Sequence, residues 1–339
     1  QDITPDQMKK SVENFEIQPD KFRALTLDID AIKSEINNGL TAKKDMKLSL
    51  PIPDGDFVEY QISSYHMMEE GLKAKFPGIQ TFHGFNVKNP REKIYLDITP
   101  KGLHAMSLGG DKSFWIDPVS LHNDELYASY YKKDYSNKHP DWICDVVGHD
   151  HDHDAEEVSS RGTLPSNELS LKTYRLAVAA TGEYTSFHGG TVASGLAAIV
   201  TAMVRVNGIY ENDLGIRMIL IANNDLIVYT NGGTDPYTNN SGGAMLNQNI
   251  NNLNAVIGSA NYDIGHVFST GGGGVAFLGV PCTSSKAGGV TGLGSPTGDV
   301  FWVDYVAHEM GHQWGGSHTF NSVTGSCGGG NRSGSSAYE

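Results

Sequence analysis

Through the first 165 residues, apolar and polar positions alternate mostly with a period of two. Phe57-Val58-Glu59-Tyr60-Gln61-Ile62 and Ile94-Tyr95-Leu96-Asp97-Ile98 predict strands, and Phe114-Trp115-Ile116-Asp117-Pro118 predicts another, closed by its proline. The polar stretch Pro5–Asn38 ahead of them reads as helical. Beyond residue 165 the pattern changes. Tyr174–Thr181 is an unbroken apolar run and predicts a buried strand, followed by a long helix over Val192–Tyr210 and a second strand over Ile216–Ala222. A helix over Ala244–Ile257, a strand over Ile264–Ser269 and a short Gly-bounded strand over Gly274–Val280 come next. Val303–Trp314 predicts a last helix, stopped by Gly315-Gly316. Alternating strands and helices of this kind imply a twisted, mostly parallel sheet with crossover helices. No internal repeat is visible.

Composition divides the chain at the same place. Residues 1–165 hold 19 of the 25 basic and 28 of the 39 acidic residues but only 10 of the 40 glycines, so the two halves carry −9 and −5. A charge-rich, Gly-poor segment followed by a charge-poor, Gly-rich one marks a domain boundary. The net charge of −14 argues against nucleic acid or an anionic membrane as the main partner. The apolar stretch Leu196–Val204 stops at Arg205, short of the ~20 residues a bilayer span needs, so no membrane span is expected. The junction reads His149-Asp150-His151-Asp152-His153-Asp154-Ala155-Glu156-Glu157; this is either a solvated acidic linker or a metal-binding tract. Ser159-Ser160-Arg161-Gly162 beyond it suits a processing protease. Cys144, Cys282 and Cys327 are too few for a disulfide framework. The N-terminus lacks a basic segment followed by an apolar one, as in a cytosolic protein or one whose signal peptide has been removed; the start at Gln1, with no Met, favours removal and secretion.

The chemistry concentrates in His308-Glu309-Met310-Gly311-His312-Gln313-Trp314-Gly315-Gly316-Ser317-His318. His308 and His312 stand four apart on a predicted helix, so both imidazoles leave one face and can share a cation. Glu309 follows the first ligand, where its carboxylate can reach a metal-activated water without binding the metal. His318 cannot share that face. Gly315 resolves this, since glycine allows the positive-φ turn that swings the chain back toward the metal. Three imidazoles leave a fourth tetrahedral position open, the arrangement of a catalytic Zn²⁺ site. A lone His-Glu-x-x-His arises by chance on ordinary helices; the added Gly315 and His318 make chance a poor explanation.

These residues match every fixed position of HExxHxxGxxH, and the chain resembles the metzincin metalloproteases. Within them it looks most like the reprolysin (adamalysin) branch, because Gly274-Val275-Ala276-Phe277-Leu278-Gly279-Val280-Pro281-Cys282 resembles that branch's edge strand. The similarity runs over about residues 172–339, and residues 1–165 resemble the propeptides of bacterial secreted relatives. The resemblance implies an α/β, zincin-like fold: a mostly parallel sheet with an antiparallel edge strand and a zinc-binding helix, preceded by a β-rich prodomain. It implies a prodomain over 1–165 and, over 166–339, the N-terminal part of a catalytic domain. Two departures stand out. Thr319 occupies a position where reprolysins usually have Asp, and no Met follows Met310, so the Met-turn and the lower subdomain are expected beyond Glu339.

The resemblance further implies a secreted zinc endopeptidase in proenzyme form, acting on proteins or peptides. Glu309 would be the general base, and Gly274, Val275, Ala276, Phe277, Leu278 and Gly279 would hold an extended substrate as an added strand. Its own prodomain would be the intramolecular inhibitor, with Cys144 as the latency ligand on the metal. An ordinary buried thiol, or ligation by Asp145 or a histidine of His149–His153, are the alternatives. A structural Ca²⁺ stays open: the family's acidic residue on the first strand falls near Arg175-Leu176 and does not carry over, which leaves Asp263 as a weak candidate. The competing function is a non-catalytic, metal-dependent binding or adhesion module, against which the presence of Glu309 counts.

Overall fold

The structure is a computed structural model that describes residues 1–12, 15–42, 46–110, 112–121, 123–135, 144–147 and 170–316. The first half builds one antiparallel sheet of eight strands in the order β1-β8-β7-β6-β5-β4-β3-β2. These are β1 (Arg23–Thr26), β2 (Met46–Pro51), β3 (Phe57–Ser64), β4 (Gln80–Asn86), β5 (Lys93–Thr99), β6 (Gly102–Leu108), β7 (Phe114–Ser120) and β8 (Asn123–Tyr131). Three helices accompany it: α1 (Pro5–Ser11), α2 (Ile29–Ala42) and α3 (Glu70–Lys75). The expected helical stretch Pro5–Asn38 is therefore broken by a strand. Leu25 turns inward there and pairs through Tyr127, so Arg23–Thr26 joins the sheet edge beside β8. Pro118 does not close its strand either. β7 runs on to Ser120, with a register shift between Pro118 and Ser120 that accommodates the residue lacking an N–H.

The second half is mixed α/β. Its sheet has the order β11-β10-β12-β14-β13-β9, from β9 (Cys144–Val147), β10 (Lys172–Ala180), β11 (Ile216–Leu220), β12 (Ile264–Ser269), β13 (Gly274–Phe277) and β14 (Gly289–Gly292). Pairing is parallel except between β13 and β14. β14 was not expected: Gly289-Val290-Thr291-Gly292 is too short and Gly-flanked to show a period, yet all four residues are buried. Helices α4 (Gly182–Phe187), α5 (Val192–Asp213) and α6 (Gly242–Val256) connect the strands. A π-helix, Val300–Ala307, leads into α7 (His308–Gln313).

α5 locks the halves together. Among the described residues it is the helix long and apolar enough to cross a bilayer, contrary to the reading of Leu196–Val204 alone, but its apolar surface is spent inside the protein. Leu196, Val200, Met203 and Val204 are no more than 1% exposed, and they share one core with Met67, Tyr95, Met106 and Trp115 of the first half. A helix this rich in apolar residues must be covered on most of its surface. The two sheets supply that cover.

Candidate metal centre

α7 is short, and its neighbours fix its position. The Tyr210 hydroxyl donates to the Ala307 carbonyl at the junction with the π-helix (2.7 Å). Gln313 is fully buried; its Nε2 donates to the Gly265 carbonyl (2.8 Å), and its Oε1 lies 2.7 Å from His266 Nδ1. His266 Nε2 in turn meets Thr291 Oγ1 at 2.9 Å, so α7 is tied to both β12 and β14. Burial pushes His266 down to about 4, which keeps it a neutral hydrogen-bonding link at neutral pH. Sequence reading assigned no role to His266, Gln313 or Thr291. Gln313 lies inside the motif, but its partners His266 and Gly265 are 47 and 48 residues away and carry no local signal.

The C-terminal end of α7 closes in a Schellman turn. Gly315 N–H donates to the His312 carbonyl (2.8 Å) and Gly316 N–H to the Gly311 carbonyl (2.9 Å), with Gly315 at φ 96°. A side chain at that φ would be strained, which is why the chain turns at a glycine. The turn delivers the Gly316 carbonyl to within 2.6 Å of His312 Nδ1. That carbonyl accepts the Nδ1 proton, fixing the tautomer whose Nε2 lone pair is free to bind a metal.

His308 Nε2 and His312 Nε2 lie 3.0 Å apart, with the two rings nearly perpendicular. Glu309 is fully buried, and a ligand atom of each of the three residues lies within 4.8 Å of the others. Tetrahedral bonds of ~2.1 Å would set two imidazole nitrogens about 3.4 Å apart. The pair is close to that, and the soft-borderline nitrogen donors suit zinc. The residues fit the ion. His318 and Thr319 lie outside the described residues, as do Cys327 and the His149–Asp154 tract.

Residues 170–337 match the family described as Metallo-peptidase family M12B Reprolysin-like. Through this segment the chain belongs to the reprolysin-like metallopeptidases. It is by that membership a zinc metalloendopeptidase, and His308, Glu309 and His312 are the described residues that can hold or serve the metal. Among solved structures the chain is similar to metalloproteinase-II from Bacteroides fragilis, with 13% identity and a TM-score of 0.45 over 85% of this chain and 86% of that one. No curated protein matches it.

Two expectations about this reprolysin-like segment need correction. Gly274–Gly279 is not a free edge strand. β13 ends at Phe277, and β9 pairs with it in parallel, Cys144 opposite Gly274 and Val147 opposite Phe277. Leu278 is exposed, and Gly279, at φ 66°, turns its N–H onto the His312 carbonyl (3.0 Å), while Val280 N–H donates to the Gln313 carbonyl (2.8 Å). The loop after β13 is thus bonded to the metal-binding helix. The Cys144 side chain is outside the described part of the structure, so only its backbone position is known. Asp263, the calcium candidate, is occupied otherwise. Its Oδ2 accepts from Arg175 N–H (2.8 Å) and Nε (3.1 Å), and its Oδ1 accepts from Arg175 Nη2 (2.7 Å). Those bonds hold the carboxyl below the usual range, and an adjacent guanidinium opposes a second cation. Cys282 is free and exposed.

Proposed function

We propose that this chain is the latent form of a zinc endopeptidase, with residues 1–165 as its prodomain. The observation that carries the peptidase chemistry is the convergence of His308 Nε2 and His312 Nε2 at 3.0 Å beside a buried Glu309. Zn²⁺ bound there would polarise a substrate carbonyl and lower the pKa of water toward ~7. The chain's own residues do the rest. His312 is held in its ligating tautomer by the Gly316 carbonyl, and Gln313 keeps the helix seated on β12 and β14. Glu309 takes the proton of the attacking water on a carboxylate oxygen and passes it to the leaving amine, the general base and then general acid of one cycle. His318 is proposed as the third ligand on the strength of the Gly315 turn.

Latency is supported by the position of β9. An extended substrate recognised by strand addition would need the outer edge of β13, and Cys144–Val147 takes that edge with its own backbone. In this reading the strand itself obstructs the cleft, and Cys144 stands within it as the proposed metal ligand. The adhesion-module reading gives Glu309 nothing to do.

Metal analysis of the purified full chain tests the site. One zinc per chain is expected, lost in His312→Ala and retained in Glu309→Gln. Native protein without zinc, or a His312→Ala variant that holds zinc as tightly as the parent, would remove the basis for the assignment.

A further inference from the structure

The first half does more than cover β13. On the opposite edge of the six-stranded sheet, Met67–Glu69 lies alongside β11. Glu69 N–H donates to the Leu220 carbonyl (2.8 Å), Leu220 N–H to the Met67 carbonyl (2.9 Å), and Ala222 N–H to Glu69 Oε2 (2.7 Å). Met67 and Met68 are buried in the shared core, so this edge is bonded and packed at once. Across the outer face of α5, Gly208 packs so closely on β5 and β6 that a methyl group there would come within 2.5 Å of Met106 and 3.0 Å of the Tyr95 ring.

Polar groups cross the same seam in matched pairs. Arg205 of α5, 1% exposed, forms an ion pair with Asp117 of β7, which is fully buried and also accepts from the Tyr130 hydroxyl at 2.8 Å. Thr201 donates to the buried Asp97 of β5 (2.8 Å). The Tyr65 hydroxyl donates to Glu211, whose carboxylate also receives Arg217 Nη2 at 2.8 Å. Removing the first half would leave Arg205 without Asp117 and would expose the apolar side of α5. Both are costs of the kind that hold obligate interfaces together.

We infer that the first half is a permanent partner of the second: once the intervening linker is cut, it stays docked on α5 and β11 as a separate chain, and only the Cys144–Val147 strand leaves. The processed protein is then a two-chain complex with an open β13 edge. This goes beyond the peptidase reading and does not depend on it, since it concerns association and not hydrolysis. It takes from that reading only the identification of β9 as the obstructing strand.

The experiment places a site-specific protease sequence at residues 155–160 of the full chain, cuts it, and passes the product over a sizing column at physiological salt. Both fragments should emerge in one peak in equal amounts, and should separate only in denaturant. Hydrogen exchange on the cut protein should leave the amides of Leu220, Ala222 and α5 as protected as before cutting, while Asp145–Val147 lose protection. Two peaks, each a folded or aggregated fragment, overturn the retention. A single peak with Asp145–Val147 still protected overturns the release. Asp117→Ala, which removes the first half's carboxylate from Arg205 and leaves it Asp299 alone, should shift the cut protein from one peak toward two; if that variant fails to fold, the exchange pattern of the parent decides the question alone. Zinc content and hydrolysis play no part in these readouts, so failure here leaves the metal site untouched.

Discussion

The two edges of the six-stranded sheet are both covered by the first half, in different ways. At β11 the cover is Met67–Glu69, whose backbone bonds are backed by buried methionines, a carboxylate bonded to a backbone amide and a continuous core beneath. At β13 the cover is the four-residue β9, paired in parallel with Gly274–Phe277. Ladder bonds exchange for bonds to water at small net cost, whereas buried apolar surface does not exchange so easily. The edge far from the metal is built to last. The edge beside it is the one we propose is vacated.

The largest effect expected on this contrast comes from breaking β9 without cutting the chain. Val146→Pro removes a backbone N–H and disfavours the strand, so the uncut protein should gain peptidase activity by about tenfold or more, as several kcal/mol of pairing is lost. A proline introduced there with no gain in activity would mean that the strand does not impose latency. Cys144→Ala sharpens the same point: activity unlocked by this change and not by Val146→Pro would move the latch from the backbone to the thiol.

The seam itself should weaken in acid. His188 lines a small cavity of about 30 Å³ between the halves, with Lys101, His104 and Trp302, and burial drives its pKa from the ordinary 6.5 down to about 3. Its folded value lies below its unfolded one, so the unfolded chain takes the proton first as pH falls through 6.5. Stability from this group is complete above 6.5 and is lost progressively toward 3, up to about 3 kcal/mol after allowance for relaxation. His188→Leu should flatten the fall in denaturation midpoint between pH 6.5 and 5 by about one proton's slope. An unchanged slope would place the acid sensitivity elsewhere.

Smaller effects are expected at the helix end and at the rim. Gly315→Ala forces a side chain into φ 96° and should cost about 1–2 kcal/mol, read as a lower melting temperature together with weaker zinc retention. Lys75→Ala removes an exposed ion pair to Asp225 beside the β11 edge (2.7 Å) and should change stability by no more than about 0.5 kcal/mol. A loss several times larger would mean that the durable edge depends on its rim charges and not on its core.

The parts legible in the sequence are those whose signal is local. α5 and the second half of β10, Leu176–Ala180, stand out as apolar runs because most of the one and all of the other are buried. Gly315 and the four-residue spacing of His308 and His312 describe one turn of helix and its end. What stayed hidden depends on partners far along the chain. β14 has no period of its own and exists because β12 and β13 flank it. The π-helix before His308 follows no composition rule; its last carbonyl is met by Tyr210, 97 residues away. Pro118 suggested a strand end, and the eight-stranded sheet overrode it with a register shift. Arg205 read as the polar stop of an apolar stretch, because nothing near it in sequence announces Asp117.

The central claim is that Glu309 performs proton transfer for zinc-dependent peptide hydrolysis once β9 is released. The direct measurement is the rate at which linker-cut protein, prepared with any further C-terminal sequence the active enzyme carries, cleaves an unfolded protein substrate, compared with its Glu309→Gln counterpart at equal zinc content. A chelator-sensitive rate that falls by about 10²–10⁴ in the variant is the predicted result. Equal rates in the two proteins at equal zinc would contradict the account.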